Sequence, residues 1–442
     1  MTEEIFNQAV DHHSAGRVGA AAQLYQAVLA LTPDHAHAQA NHLLGMIFAQ
    51  HGQMGKARTY LGRASASPDA TPEMHNNFGV TLHALGQASA AADAFIKALT
   101  ARPEYPEALN NLGSLYKEAG RTRDAVAAFR RAIALQPDYA VAQENLRAAY
   151  GDVVPSWHFA MMNDAPRNAA YDQALRRAVK GKRVLDIGTG AGLLAMMSAR
   201  AGAADVVTCE VVDLVADHAQ QIVARNGLAD KVKVLGKSSH MLEVGPDKDL
   251  AARADVIVTE TFSSGLMGEG VLPTMEHAVA ELLAPGGTVI PRAATARGYL
   301  IGGRSLRDKL HVERAAGFDL TPFAAFAPAK VGLCLDHEPH EVLSDDVDLI
   351  GFDFMSGAFP ASSVPVSITA TAAGACVGVA QWLKLDLDGQ TAYENRPSPD
   401  ASGATWVHIV YRFPAPVMVS PGSVVKIIVR HDRNQISIDW VG

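Results

Sequence analysis

The sequence predicts a three-part chain: an α-helical solenoid over residues 1–150, an α/β domain with a mostly parallel sheet over 151–292, and an antiparallel β domain over 293–442. Three observations carry this prediction. Landmarks recur every 34 to 36 residues in the first third, strand-length apolar runs alternate with helical segments in the middle, and period-two alternation dominates the end.

The repeats come first. Gly16, Gly52, Gly86 and Gly120 each follow an amphipathic stretch, and Pro33, Pro68, Pro103 and Pro137 recur in step with them. Eight residues before each proline stands an aromatic: Tyr25, Tyr60, Phe95 and Phe129. A helix, a glycine turn, a second helix and a proline stop fit this period. The pattern resembles the tetratricopeptide repeat, most closely at LGSLYKEAGR…AVAAFRRAIALQP over 112–137. Four such repeats cover about 3–140, with a capping helix over about 141–150. Stacked helix pairs curve, and a concave face of this kind takes extended peptides. Asn77, Asn111 and Asn145 recur in phase and form a ladder. Their amides suit a peptide backbone, and they suit equally a bridge between neighbouring repeats.

The middle region alternates KRVLDI, LLAMMSARAG, ADVVTCE, a helix to about Asn226, KVKVL, ADVIVTE and GTVIP. Such alternation places helices on both faces of a parallel sheet. From about Ala293 the segments VPVSITATA, VGVAQWLKLDL, TWVHIVYRF and VVKIIVR/ISIDWV predict an antiparallel barrel or sandwich.

Composition narrows the class. The 442 residues carry a net charge of -8, with 48% hydrophobic and 19% charged residues. That balance excludes a largely disordered chain and gives no electrostatic drive toward nucleic acid or anionic membranes. Cys209, Cys334 and Cys376 stand far apart without metal-ligand spacing, so no metal site is expected. The acidic start MTEEIF lacks a signal-peptide pattern and no apolar run spans a bilayer, which points to a cytoplasmic chain.

The strand VLDI runs into Gly188-Thr189-Gly190-Ala191-Gly192 and then a helix. Glycines there allow a sharp turn and close backbone approach to a ligand. Asp186 precedes the loop and suits a ligand's ammonium end, while Leu193 stands where a dinucleotide pattern wants its third glycine. The second strand ends on Glu210, a carboxylate able to accept from both ribose hydroxyls. Together these features favour S-adenosylmethionine over a phosphate-bearing cofactor.

Three further segments, in order, carry a family resemblance: WHFAMMNDAPRNAAY (157–171), VLDIGTGAGLLAMMSARAGA (184–203) and TETFSSGLMGEGVLP (259–273). Over about 155–442 the chain resembles the protein arginine N-methyltransferase family, in particular its divergent, tetratricopeptide-fused branch. The resemblance implies a Rossmann-like cofactor domain, a β-barrel substrate domain and methyl transfer from S-adenosylmethionine to arginine in a protein substrate. It places Met161 near the methyl group, Arg167 on the cofactor's carboxylate, Gly188 and Gly190 on its methionine portion, and Glu210 on the ribose. Ser238 and Ser239 fall at the adenine position, where other members often have glutamate. Glu260 and Glu269 match the paired catalytic glutamates. Two carboxylates suit arginine because guanidinium is always protonated, and a bidentate grip draws its charge away from the attacking nitrogen.

The chain also departs from the family pattern. The Thr-His-Trp loop that lies by the substrate is here Ala404-Thr405-Trp406, so Asp164, which pairs with that histidine elsewhere, lacks the partner. His158 and His408 stand as substitutes. Residues 301–340 fall at the family's dimerisation arm, which implies a homodimer. A methyltransferase acting on another acceptor, or a repeat scaffold with a vestigial domain, are the alternatives, and the degree of methylation stays open.

Overall fold

The computed structural model describes residues 1–151, 153–154, 157–398 and 407–442. The chain divides into two compact units, Met1–Val154 and Pro155–Gly442.

The first unit is a stack of antiparallel helix pairs: α1 Thr2–Ser14 with α2 Val18–Leu31, α3 Ala38–Gln50 with α4 Met54–Ser65, α5 Pro72–Ala84 with α6 Ala88–Ala101, and α7 Pro106–Glu118 with α8 Thr122–Leu135. Helix α9, Ala140–Gly151, packs on α8. The turns within the pairs are set by Gly16, Gly52, Gly86 and Gly120, all at φ of 71° or 72°. At each turn the following residue's N–H reaches back to the helix, as from Arg121 to the Tyr116 carbonyl at 2.8 Å, and this closes the helix end.

A second glycine register was not apparent from the turn pattern. Gly79 and Gly113 lie in the first helix of their pairs, where an added Cβ would stand 2.6 Å from the ring of Phe95 or Phe129. Gly45 stands in the same relation to Leu61. Both phenylalanines are fully buried. Thus Phe95 and Phe129 each need a glycine on the facing helix, so that the two backbones can approach.

The second unit begins with α10 Trp157–Met162 and α11 Ala165–Ala178. A parallel sheet follows, made of β1 Arg183–Ile187, β2 Asp205–Cys209, β3 Val232–Leu235, β4 Ala254–Thr259 and β5 Leu283–Ile290, in the order β3-β2-β1-β4-β5. Helices α12 Leu193–Arg200 and α13 Asp213–Arg225 pack on it, which explains why β1 and β4 are apolar on both faces. Strand order reverses beside β1, so the carboxyl ends of β1 and β4 frame a crevice of the kind that binds ligands.

The rest of the unit is antiparallel. One sheet is built around Ala293–Gly302, Gly374–Asp386 and His408–Val419, and a second joins Ser362–Thr369, Val424–His431 and Ile436–Trp440. The antiparallel character matches the sequence pattern. One apolar core runs through both halves, from Val184 and Val256 to Phe352 and Val429, so the change near residue 292 is a change of sheet within one core. Residues 301–340 form the helix Arg304–Leu310, a short hairpin over 314–319 and the 3-10 turn Thr321–Phe326. Among the described residues no helix is long and apolar enough to cross a membrane.

The two glycine environments predict opposite signs for one substitution. Gly79→Ala drives a methyl into the Phe95 ring and should destabilise the chain by about 1–3 kcal/mol. Gly55→Ala, on an exposed turn of α4 with open space around it, should stabilise it by about 0.5–1 kcal/mol. Urea unfolding followed by helical circular dichroism reads both.

Candidate functional site

The residues singled out in the second unit converge on the carboxyl edge of the parallel sheet. β1 ends at Ile187, and Gly188 turns the chain at φ 86°, where a Cβ would strike the Thr261 methyl at 2.6 Å. The Gly188 and Thr189 N–H groups donate to the Cys209 carbonyl at 3.0 and 3.1 Å, which ties the loop to the end of β2. Gly190, at φ 50°, leads into α12.

Glu210 directly follows β2. Its carboxylate accepts from the Gly190 N–H at 3.1 Å and from the Val212 N–H at 3.0 Å, so the side chain is aimed into the crevice by backbone on both sides. Ser238 and Ser239 follow β3 on the same edge. Ser239 is buried, and the Ser238 hydroxyl accepts from the His240 N–H at the start of a short 3-10 turn.

Asp186 lies inside β1 and is 1% exposed. Thr208 donates to its Oδ2 at 2.9 Å, and Thr189 in turn approaches Thr208 at 2.7 Å. Its Oδ1 makes no close hydrogen bond among the described residues, although the Ala195 N–H also acts on the carboxyl. Burial pushes this carboxyl up to about 7, against the pull of Thr208. An orphaned buried oxygen beside a glycine loop with no Cβ in the way fits a ligand that brings a donor, as the ammonium end of an amino-acid-bearing cofactor does.

Glu260 directly follows β4 and meets Arg167 from α11: a guanidinium nitrogen stands 2.8 Å from Glu260 Oε2, with both side chains 4% exposed. Arg167 also donates to Asn168 Oδ1 at 2.9 Å and lies over the Tyr171 ring at 5.2 Å, and its Nε has no acceptor among the described residues. Tyr171 is fully buried and donates to the Thr259 carbonyl at 3.1 Å, pinning α11 against β4. Burial pushes Glu260 up to about 7 although Arg167 pulls it down, and Glu269 and Asp164 add repulsion. The sequence reading put Arg167 and Glu260 to separate uses. Here they satisfy each other, since neither buried charge is tolerable alone.

Glu269 differs from its partner. It is exposed and holds φ 62°, a left-handed backbone uncommon for a residue with a side chain. Phe262, Leu266 and Met267 are buried and anchor the loop, and Ser263 accepts the Gly268 N–H at 2.9 Å. Met161, on α10, is partly buried against the core.

Asp164 begins α11 as its N-cap, accepting the Arg167 N–H at 2.9 Å, and it is 4% exposed. The tyrosine hydroxyl of Tyr393, from the strand Ala392–Glu394, donates to its other oxygen. The missing histidine therefore does not leave Asp164 without a partner. His408 is fixed elsewhere, accepting the Leu335 N–H through Nδ1 and meeting the Asn395 carbonyl through Nε2, a structural post for a neutral ring. His158 lies on α10 and is half-buried. Trp406 and the rest of Ala404-Thr405-Trp406 lie outside the described residues.

In the first unit the asparagines form rungs between repeats. Asn145 donates to Asn110 at 2.9 Å, Asn111 to Asn76 at 3.0 Å, and Asn77 meets His42 at 2.9 Å. Of the two uses the sequence left open, the structure displays the bridge between repeats.

Comparison with known proteins adds the following. A family model described as ribosomal protein L11 methyltransferase matches residues 170–291, and tetratricopeptide repeat models match 6–73, 72–105 and 106–139. The chain is similar to an arginine N(omega)-methyltransferase of Streptomyces achromogenes subsp. streptozoticus, 38% identical over 276 residues, covering 62% of this chain and 75% of the relative. It is also similar to protein arginine N-methyltransferase 7 of Danio rerio, 33% identical over 308 residues, covering 64% of this chain but only 45% of that protein. The fold resembles that of the Trypanosoma brucei PRMT1 enzyme–prozyme heterotetrameric complex with AdoHcy, with a TM-score of 0.56, 20% identity, and 66% of this chain and 95% of that one covered.

The raised Asp186 carboxyl gives a pH signature. An unfolded aspartate titrates near ~4, whereas the folded one keeps its proton up to about 7. The native state thus holds a proton that the unfolded chain has lost. The resulting stability is complete below the unfolded value and drains away as pH rises toward 7. The ligand-free chain should melt at falling temperature from pH 5 to 7.5, and Asp186→Asn should make that decline shallower. Scanning fluorimetry across this range checks both.

Proposed function

The chain belongs to the arginine N-methyltransferase family, and from that premise we propose that it transfers a methyl group from S-adenosylmethionine to arginine presented in a protein, with the repeats recruiting that protein. The observation that carries this reading is the Arg167–Glu260 contact. The buried carboxylate at the end of β4 already grips a guanidinium at 2.8 Å, which supports a carboxylate placed to hold arginine.

The residues on the crevice fit the cofactor. Gly188 and Gly190 would give close approach to its methionine portion, Asp186 would hold the ammonium group, Glu210 the ribose hydroxyls and Ser238 and Ser239 the adenine, with Met161 toward the methyl group. The bound cofactor supplies an electrophilic methyl carbon on a sulfonium. Arg167 would hold the cofactor's carboxylate, and Glu260 would then be available to a substrate guanidinium. Glu260 and Glu269 then hold the guanidinium from two sides and draw its charge away from the attacking nitrogen. Methylguanidinium is still a cation, so one proton leaves that nitrogen. Glu260, whose carboxyl is raised by burial, would take it. Asp164, at the start of α11, would border the substrate. Asn77, Asn111 and Asn145 lie on the recruiting face, where their rungs keep the repeats in register beneath a bound segment. The two antiparallel sheets are read as one β-barrel, and the thiols of Cys209 and Cys376, raised by burial, are compatible with a reducing cytoplasm.

Mass spectrometry of arginine and lysine peptides, free arginine and an arginine-rich protein, each with labelled cofactor, tests this. Methylated peptide arginine is expected, with little on lysine. Glu269→Gln is the cleaner variant because Glu260 also neutralises Arg167. It should lower turnover by orders of magnitude and leave cofactor affinity intact. A chain starting at residue 155 should still methylate the short peptide but lose activity on the protein. Free arginine consumed as readily as either would argue against recruitment, and the bacterial relative's name, which mentions arginine alone, makes that comparison necessary.

Pairing of two copies through residues 301–340 completes the proposal. Phe318, Phe323 and Phe326 are 71%, 64% and 79% exposed, an aromatic patch of the kind that a partner covers. The double variant Phe323→Asp, Phe326→Asp should sediment as a 46.8 kDa monomer, whereas the native chain should run at about twice that mass.

A further inference from the structure

We infer that Tyr393 is a positioning residue for methyl transfer. Its hydroxyl holds Asp164, Asp164 holds the first turn of α11, and that turn sets Arg167 against Glu260. The inference rests on the functional reading given above.

The chain of contacts is continuous. Tyr393 sits on the short strand Ala392–Glu394, where it is registered opposite Leu385 of the central antiparallel strand and is 7% exposed. Its hydroxyl donates to Asp164 Oδ2. Asp164 Oδ1 accepts the Arg167 N–H at 2.9 Å. Arg167 then reaches Glu260 at 2.8 Å. Asp164, Arg167 and Glu260 are all nearly inaccessible to water, so these protein groups replace solvent as partners for the charges.

The chemistry explains why a hydroxyl serves here. Asp164 is an anion within reach of the Glu260 charge, which it opposes. A neutral donor on Oδ2 fixes the carboxylate without adding a cation that would draw Glu260 away from arginine. Burial and the bond to Asp164 both push the Tyr393 phenol far above its ordinary range, so it stays protonated and remains a donor. Tyr393 thereby links the antiparallel half, which borders the substrate, to the helix that serves the cofactor.

Tyr393→Phe keeps the ring and removes only the hydroxyl. In the ligand-free full chain, hydrogen exchange at the Arg167 amide should become roughly tenfold faster, while the last turn of α11 keeps its protection. Titration calorimetry with S-adenosylmethionine should show roughly tenfold weaker binding, and kcat/KM for the cofactor should fall while KM for the arginine peptide holds. Asp164→Asn, and the double variant, close a cycle: once Asp164 is changed, removing the hydroxyl should add almost nothing. Unchanged exchange at Arg167 in Tyr393→Phe, or strictly additive losses in the cycle, overturns the inference and reduces Tyr393 to packing. A native chain that binds no S-adenosylmethionine overturns the functional reading itself, and with it any role for this contact in methyl transfer. Because exchange is read without ligand, the two failures are distinguishable.

Discussion

The second unit is organised around one constraint: a carboxylate and a guanidinium removed from water must stay together. Glu260 and Arg167 are each 4% exposed at their side chains, and removing one partner from such a pair costs about 3–5 kcal/mol. Their meeting requires α11 to cross the end of β4 at a fixed place. Tyr171 sets that place through the Thr259 carbonyl, and Thr259 in turn holds the end of β1 through the Ile187 carbonyl at 2.8 Å.

Much of this architecture was legible in the sequence. Local rules carried the repeats, since a glycine turn, a proline stop and an aromatic at fixed offsets need no tertiary information. The strand–loop–helix–strand order ending on Glu210 was equally local, and the structure puts Asp186, Gly188, Gly190, Glu210 and Glu260 on one sheet edge. What escaped was non-local. Tyr393 and Asp164 are 229 residues apart, and nothing near either residue advertises the other. The Gly79–Phe95 and Gly113–Phe129 fits were written in the same period as the turn glycines. They need the helix pairing to be known before a second in-phase glycine can be told from a weak helix former.

The two glutamates show how one motif can contain two physical environments. Glu260 sits on a rigid strand end and takes its properties from burial. Glu269 sits in an exposed loop and keeps a left-handed backbone next to Gly270, itself at φ 70°. One carboxylate is therefore fixed and the other adjustable. That division suits a pocket which must admit a long flexible side chain before closing on its end.

The rungs between repeats carry a different implication. Asn145 reaches Asn110, Asn111 reaches Asn76 and Asn77 reaches His42, so three successive joints bond through the same pair of positions. A joint that reuses the same positions from one repeat to the next does not record how many repeats there are. Duplication or deletion of a whole 34-residue segment leaves every remaining rung with a matching neighbour. The length of the array is thus free to drift in a lineage while its joints are preserved, and reach toward new partners can change without any change at the catalytic edge.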